Sequence, residues 1–433
     1  MRKIKAILKV LGPGLITGSS DDDPSGITTY SQAGGKFGLL TLWTALITFP
    51  LMASIQEMCA RIGIVTSTGL TTTLKKHYPT WLLYVMMLFT LPAIILNIGA
   101  DIAGMGAVAN MMLPGIKTVY FTITFTLVLT VLIIWLPYER IVSVLKYLCL
   151  CLLLYIAVPF FTKPDWFKVL KHTFVPTILI NKDFFEVLVA ILGTTISPYL
   201  FFWQVTMEAE DIKQTKRLIL ARRKLVKEKG DDPYQRERSF MTRLIRKMRL
   251  DVNFGMLLSN IVMFFIILAT GTALYSGGGK DIGTVQDAAK ALEPIAGKAS
   301  YLLFTLGVIG TGFLAIPVLT GSLSYIVSET FGWKASLDKK YWQAKKFYLV
   351  IIVSMAAALG VNYIGITAIK ALYYTAILYG LTSPVLIAVI LHIGNRKKIM
   401  KSHTNGRLSN VMGILAFFLM LISAVALIYF MFS

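Results

Sequence analysis

Long apolar runs alternate with short polar intervals along the whole chain. A helix that spans a membrane needs about 20 mostly apolar residues, and roughly eleven runs of this length can be marked. The pattern therefore predicts an all-α polytopic membrane protein with about 11 transmembrane helices. The predicted spans lie near residues 13–36, 38–60, 80–105, 117–136, 141–161, 184–208, 253–275, 300–328, 346–361, 365–392 and 409–432.

The composition supports this class and argues against others. Of the 433 residues, 56% are hydrophobic and 15% are charged, which lies outside the range of soluble globular proteins. The net charge of +21 does not indicate a nucleic-acid partner, because the basic residues lie mostly between the apolar runs and no aromatic residues interleave with them. Cys59, Cys149 and Cys151 lie in or beside apolar runs and predict neither a disulfide framework nor a metal–thiolate site.

The basic residues between the spans predict the orientation of the chain. If the N-terminus is cytoplasmic, the even-numbered loops face the cytoplasm and carry most of the Lys and Arg residues. The opposite loops are poorer in charge, with lysines between 163 and 182 as an exception. We therefore expect a multi-pass protein of the plasma membrane with its N-terminus inside and its C-terminus outside. The supporting basic residues are Lys75, Lys76, Arg140, Lys146, Lys334, Lys339, Lys340, Lys345, Lys346, Arg396, Lys397, Lys398, Lys401 and Arg407.

The loop near 209–251 is the most basic of these cytoplasmic intervals. It contains apolar residues at helical spacing, namely Leu218, Leu225, Leu244 and Met248. This pattern predicts an amphipathic helix that lies on the anionic inner leaflet of the bilayer.

Two of the predicted spans contain a proline next to polar residues. The first span includes Asp23-Pro24-Ser25-Gly26, and the sixth includes Ser197-Pro198 within Gly193–Phe202. Proline lacks an amide donor and glycine permits unusual dihedrals, so both segments predict a break in the helix. A helix can break inside a bilayer only where it lines a cavity or is buried in protein.

The two breaks lie at corresponding places, in spans one and six. Interrupted helices at matching positions indicate an inverted-repeat transporter whose site lies between the breaks. We therefore expect one transmembrane domain, 1–433, with five helices in each repeat (about 13–161 and 184–392), as in the leucine-transporter-type fold, and an extra helix at about 409–432. The alternative is that Pro24 and Pro198 are ordinary kinks.

Asp23 is the acidic residue next to the first break. An ionisable side chain at that depth costs at least roughly 2.5 kcal/mol on insertion scales, so it predicts a functional site. Three consecutive acids cannot all face one side of a helix. We expect Asp23 to face the site, and Asp21 and Asp22 to line a water-filled approach or to stay solvated.

The segments "GPGLITGSSDDDPSGITTYSQAGGKFG" and "QEMCARIGIVTSTGL" resemble the first two spans of the Nramp family of divalent metal transporters. The resemblance implies the inverted-repeat fold and extends, more weakly, through span ten. Several family residues are replaced here. The asparagine of the first-span motif is Gly26, the methionine and histidine of the sixth-span motif are Ser197 and Tyr199, and a further histidine is Gln204. The glutamate of the span-three pair is Gly104, and a glutamine of span ten is Ala376.

The resemblance also implies a set of site residues. Asp23 would hold the ion, the carbonyls of Ser20 and Thr194 would face it, the Ser197 hydroxyl would contact a bound water, and Gly26 would provide space. The possible supporting residues are Gln56, whose alternative role is a helix–helix hydrogen bond, together with Asp22, Tyr199 and Asp101.

This pattern of replaced residues resembles the pattern in the Nramp-related magnesium transporters. A thioether favours transition metals, whereas an oxygen site with one principal acid suits a partly hydrated Mg²⁺. None of the histidines (His77, His172, His392 and His403) lies mid-span. We therefore expect uptake of Mg²⁺, with Mn²⁺ as a second candidate substrate, without proton coupling, enzymatic activity or a cofactor. The alternatives are a proton-coupled Mn²⁺/Fe²⁺ importer, a carrier of organic solutes with the same fold, and a membrane enzyme or receptor.

Overall fold

A computed structural model describes residues 13–136, 155–225, 233–275, 282–293, 297, 300–363 and 365–432, with side chains of 216–239 excepted. Within these ranges the secondary structure is helical and contains no strand, which confirms the all-α prediction. The first half contains α1 (Pro13–Asp21), α2 (Pro24–Phe37), α3 (Trp43–Thr66), α4 (Leu70–His77), α5 (Thr80–Met112), α6 (Thr118–Trp135), α7 (Val158–Thr162) and α8 (Trp166–Phe174). The second half contains α9 (Lys182–Thr195), α10 (Pro198–Leu225), α11 (Pro233–Ala273), α12 (Val285–Ala289), α13 (Ser300–Phe331), α14 (Lys345–Val361), α15 (Ala368–Asn395), α16 (Lys397–Met400) and α17 (Arg407–Phe432).

Within the described ranges, 7 helical segments are long and apolar enough to cross a membrane. The remaining predicted spans differ for identifiable reasons. The first is divided into α1 and α2, the second (α3) carries the polar Gln56, Glu57 and Arg61, and the ninth (α14) has only 17 residues. Most of the predicted fifth span, 141–161, lies outside the described residues. The bounds of the two repeats stay predictions.

The segment predicted as a basic loop is largely helical. The 41 residues of α11 would extend about 60 Å at 1.5 Å per residue, which is twice the thickness of the hydrocarbon core. Both α10 and α11 therefore continue beyond the membrane. Leu244 and Met248 pack against the protein core. The prediction that these two residues lie on the bilayer surface is wrong, and the side chains of Leu218 and Leu225 lie outside those described.

Close helix crossings at glycine bring the two broken helices into the centre of the bundle. Helix α1 packs against α11, where a side chain on Gly18 would overlap the backbone of Gly255. Helix α9 packs against α15 in the same way, through Gly193 and Gly380. Small residues let helix backbones approach closely in membrane proteins. These crossings hold the half-helices α1 and α9 in place, and each half-helix ends at a break.

Candidate cation site at the two helix breaks

The first break is held by the side chain of Asp23. Asp23 has extended backbone dihedrals (φ −70°, ψ 172°) and caps the N-terminus of α2, which begins at Pro24. Its Oδ1 atom accepts hydrogen bonds from the Gly26 amide at 2.8 Å and from the Ser25 hydroxyl at 2.6 Å. A proline at the first helical position and an aspartate before it are favourable, because the first amides of a helix have no partner within it. The sequence around the break therefore stabilises the break itself.

The second carboxylate oxygen of Asp23 contacts a residue that the sequence analysis did not identify. Asn97, on α5, donates from Nδ2 to Asp23 Oδ2 at 3.0 Å. The Thr375 hydroxyl on α15 donates in turn to Asn97 Oδ1 at 3.0 Å. An amide within a run as apolar as "LPAIILNIG" was a sequence signal, since buried polar groups in a membrane require partners. Asp23, Asn97 and Thr375 thus connect the first break to α5 and α15.

At the second break the predicted metal-facing groups contact each other. The Ser197 hydroxyl donates to the carbonyl of Thr194 at 2.6 Å, with the Gly193 carbonyl at 3.2 Å. A serine hydroxyl commonly bonds to the carbonyl three or four residues earlier at a helix end. The carbonyl of Ile196, also freed by the break, accepts from Ser383 on α15 at 3.0 Å, a contact that the sequence did not predict.

The two breaks lie against one another. The Tyr199 hydroxyl, one residue after Pro198, donates to the Ser20 carbonyl at 2.9 Å. A side chain built on Gly26 would lie 3.3 Å from the Thr194 hydroxyl. The proximity of the two breaks agrees with the prediction from the paired prolines. The Ser20 and Thr194 carbonyls each accept one hydroxyl, and a carbonyl oxygen has two lone pairs.

Asp21 and Asp22 are buried, with 1% and 5% of their surface exposed. Both approach the hydroxyl of Ser259 on α11, Asp21 Oδ2 at 2.8 Å and Asp22 Oδ1 at 3.2 Å. The expectation that these carboxylates stay solvated therefore does not hold in this structure. Ser259 follows Gly255 by one helical turn, so the α1–α11 crossing places it beside both acids. In the part of the chain that is described, no ion pair involves Asp21, Asp22 or Asp23.

Asp101 and Gln56 are also buried at 0% and 1% exposure. Both oxygens of Asp101 and Oε1 of Gln56 have no hydrogen-bond partner among the described residues. A side chain built on Gly104, one turn beyond Asp101, would lie 3.7 Å from Pro24 Cβ, which places this part of α5 beside the first break.

Two polar networks outside the predicted set link α1, α3, α10 and α11. Glu57, adjacent to Gln56 but on another face of α3, pairs with Arg61 and accepts from Arg249 of α11 at 2.9 Å. Gln204, at the position of a family histidine, accepts from Thr17 of α1 and donates to Glu208 Oε1 at 3.0 Å. Sequence spacing alone did not pair residues so far apart in the chain.

The chemistry at the breaks is that of oxygen and amide groups. Across the described ranges, no three His, Cys, Asp or Glu side chains are grouped so that they could hold a metal ion. A cation at Asp23 would therefore have one carboxylate oxygen, nearby carbonyls and water as its ligands. Such a set suits a hard cation that keeps part of its water shell.

Comparison with known proteins identifies relatives across nearly the whole chain. The family model described as "Natural resistance-associated macrophage protein-like" (Nramp) matches residues 14–430. The protein named "Divalent metal cation transporter MntH" from Caldanaerobacter subterraneus subsp. tengcongensis is 25% identical over 98% of this chain and 94% of its own length. The protein of the same name from Ralstonia nicotianae is 24% identical over 94% of this chain and 87% of its own length.

Solved structures support the fold. The manganese transporter of Eremococcus coleocola, solved with an aromatic bis-isothiourea compound, superposes with a TM-score of 0.74 at 19% identity, covering 99% of this chain and 88% of the other. Mhp1, a nucleobase-cation-symport-1 family transporter in a closed conformation, gives a TM-score of 0.55 at 12% identity, covering 97% and 92%. These matches confirm the inverted-repeat transporter architecture. The extent of the family match confirms the resemblance found in the sequence, and the chain belongs to the Nramp family of membrane transporters.

Proposed function

We propose that this protein is a divalent metal cation transporter that takes up Mg²⁺, and also Mn²⁺, through a site at Asp23. The relatives named as divalent metal cation transporters support the broader assignment. The observation that carries the preference for Mg²⁺ is the donor set at the breaks. Ser197 and Gly26 stand where the family has a thioether and an amide, so the groups that the cation meets are oxygen donors.

Most of the candidate ligand oxygens at the breaks already accept hydrogen bonds from the protein, and this favours a hydrated ion. Asp23 Oδ1 accepts two hydrogen bonds, and the carbonyls of Ser20 and Thr194 each accept a hydroxyl. A cation stripped of water would need many more ligands than remain. Mg²⁺ loses its water reluctantly and is usually held by one or two carboxylates plus several waters. A hydrated Mg²⁺ therefore fits the few groups that this site offers.

Uptake of this kind does not require protons. An inside-negative potential favours entry of a divalent cation by about 4.6 kcal/mol per 100 mV, twice the figure for a single charge. Of the described histidines, His77, His172 and His392 lie at or near helix ends, and His403 lies between α16 and α17. None of them contacts Asp23. We therefore infer an uncoupled mechanism in which the membrane potential supplies the driving force.

Purified protein in liposomes with an inside-negative potential is expected to admit Mg²⁺ without acidifying the interior. A Mg²⁺-sensitive dye reports entry, and a second dye reports internal pH at the same time. Liposomes without protein and liposomes with Asp23→Ala are the controls. Entry of Mn²⁺ together with protons, with no entry of Mg²⁺, would show instead that the protein is a proton-coupled importer.

We also propose that the cytoplasmic part of α11 contacts anionic lipid in the plasma membrane, with the N-terminus inside. Arg243, Arg246 and Lys247 are exposed on this helix, while Leu244 and Met248 pack inward. Each basic residue near an anionic surface contributes about 1 kcal/mol. Replacing all three with glutamine is expected to remove most of the thermal stabilisation that phosphatidylglycerol gives over phosphatidylcholine.

The matched control for this lipid experiment uses three lysines that the predicted topology places on the other side of the membrane. Lys163, Lys168 and Lys171 are exposed around α8, and the same triple replacement there removes an equal charge. An equal loss of lipid-dependent stabilisation in both triple variants would contradict the proposal, because it would reflect net charge alone.

A further inference from the structure

Asn97 is the one side chain in the described residues that bonds directly to Asp23 from another helix. It is fully buried, at 0% exposure, in the middle of α5. Its amide nitrogen donates to Asp23 Oδ2 at 3.0 Å, and its amide oxygen accepts from Thr375 at 3.0 Å. Both ends of the amide are therefore in use, and the hydrogen bonds define which end faces Asp23.

The bond to Oδ2 occupies the part of Asp23 that a cation would use. Oδ1 is held by Ser25 and Gly26 in the cap of α2, so its role is tied to the helix break. Oδ2 accepts only the Asn97 amide among the described contacts. A cation that approaches Asp23 at Oδ2 must therefore meet Asn97 first.

We propose that Asn97 is a positioning and selectivity residue that orients Asp23 and receives the water shell of the cation. The inference rests on the proposed function and adds a residue to it. Without the cation, the amide N–H groups direct Oδ2 and stabilise its charge. With the cation bound at Oδ2, the amide group turns over, so that its oxygen faces the cation and accepts a hydrogen bond from a metal-bound water. The Thr375 hydroxyl can release Asn97, because the carbonyl of Leu372 lies 2.7 Å from the same hydroxyl.

This role distinguishes between cations by their hydration. A metal-bound water is a strong hydrogen-bond donor and needs an acceptor, which the amide oxygen provides. An ion that keeps its waters gains from Asn97, whereas an ion that binds Asp23 directly gains little. Because Mg²⁺ retains its waters more strongly than softer cations do, Asn97 is expected to favour Mg²⁺ over Mn²⁺.

Asn97→Leu tests the selectivity. It keeps the number and branching of the side-chain heavy atoms. It is expected to raise the apparent KM for Mg²⁺ about tenfold, the equivalent of one charge-assisted hydrogen bond, and that for Mn²⁺ less than about threefold. The control is Asn260→Leu, since Asn260 is also a buried asparagine that joins two helices, through Thr48 at 3.0 Å, without contacting Asp23. Equal changes in the apparent KM for both ions, as expected for the control, would show that Asn97 is only a structural contact and would overturn the proposal.

Asn97→Asp provides a second readout that a structural role would not move. It puts a carboxylate of nearly the same size where the amide contacts Asp23 Oδ2, so a cation there meets a second charged ligand instead of a neutral amide. Direct binding to two carboxylates removes the dependence on the water shell, and the preference for Mg²⁺ over Mn²⁺ in apparent KM is expected to fall at least about threefold. A variant with the wild-type ratio of the two KM values would overturn the proposal. If wild-type protein carries Mn²⁺ and not Mg²⁺, the proposed function fails, and an unchanged KM for Mn²⁺ in Asn97→Asp would separately overturn the role of Asn97.

Discussion

Asp23→Asn is expected to abolish cation uptake while the first helix break stays intact. The asparagine oxygen can still accept the Gly26 amide and the Ser25 hydroxyl, so α2 remains capped. What is lost is the negative charge, together with the hydrogen bond that Asn97 donates to Oδ2. A pair of unit charges 4 Å apart contributes about 4 kcal/mol at an effective dielectric of 20, and a divalent cation doubles this. A loss of at least about 100-fold in uptake, or about 2.8 kcal/mol, is therefore expected.

Initial rates of Mg²⁺ entry into liposomes at saturating and subsaturating Mg²⁺ measure this effect. The control is Asp287→Asn, because Asp287 is a partly exposed aspartate that pairs with Lys290 and lies far from the breaks in sequence. The thermal stability of Asp23→Asn should fall only by the loss of one hydrogen bond, about 1–3 kcal/mol, since the cap is kept and the bond from Asn97 to Oδ2 is lost. Uptake at the wild-type rate would show that the cation site is not at Asp23. The next candidate would be Asp101, a buried carboxylate with no hydrogen-bond partner among the described residues.

The position of the helix breaks could be predicted from the sequence because the signal is local. Proline has no amide hydrogen and clashes with the preceding turn, so a helix cannot pass Pro24 or Pro198 unchanged when polar residues precede them. The pairing of the breaks followed from their matching places in spans one and six. The structure agrees, with Tyr199 bonded to Ser20 across the two breaks.

The hydrogen bonds within the site could not be predicted in the same way. The carbonyls of Ser20 and Thr194 were expected to face the ion, but each accepts a hydroxyl from the other break or from its own turn. A serine one turn after a free carbonyl reaches it with little loss of entropy, and this competes with an ion for the same oxygen. Whether a hydroxyl occupies the carbonyl or leaves it free for an ion depends on side-chain rotamers, which the order of residues does not determine.

Contacts between distant helices were the other part that the sequence did not reveal. Asn97 and Asp23 are 74 positions apart, and Glu57 and Arg249 are 192 apart. Adjacent residues of a helix point about 100° apart, so Glu57 and Gln56 face different neighbours, but this geometry could not name the partner of Glu57 on α11. Such pairs follow from how the helices cross, and the crossings depend on small residues spread over the chain.

The α1–α11 crossing leads to the second large effect. Gly255→Ala is expected to reduce uptake at least about tenfold, because a methyl group there would overlap the carbonyl of Gly14 and lie 2.9 Å from Leu15 Cα. Backbone cannot yield as a flexible side chain can, so α1 must move away from α11. That movement separates Ser259 from Asp21 and Asp22 and shifts the half-helix that ends two residues before Asp23. Liposome uptake and thermal stability together measure the change.

Gly283→Ala is the matched control, because a methyl group on Gly283 would meet no atom of the described residues within 4 Å. It should leave uptake and thermal stability unchanged. If Gly255→Ala lowers thermal stability but not the uptake of the protein that remains folded, then the crossing serves folding alone. If it lowers uptake at unchanged stability, α1 has left the position from which Ser20 and Asp23 reach the second break. The latter result is expected, since α1 is a short half-helix of 9 residues that can shift without unfolding the rest of the bundle.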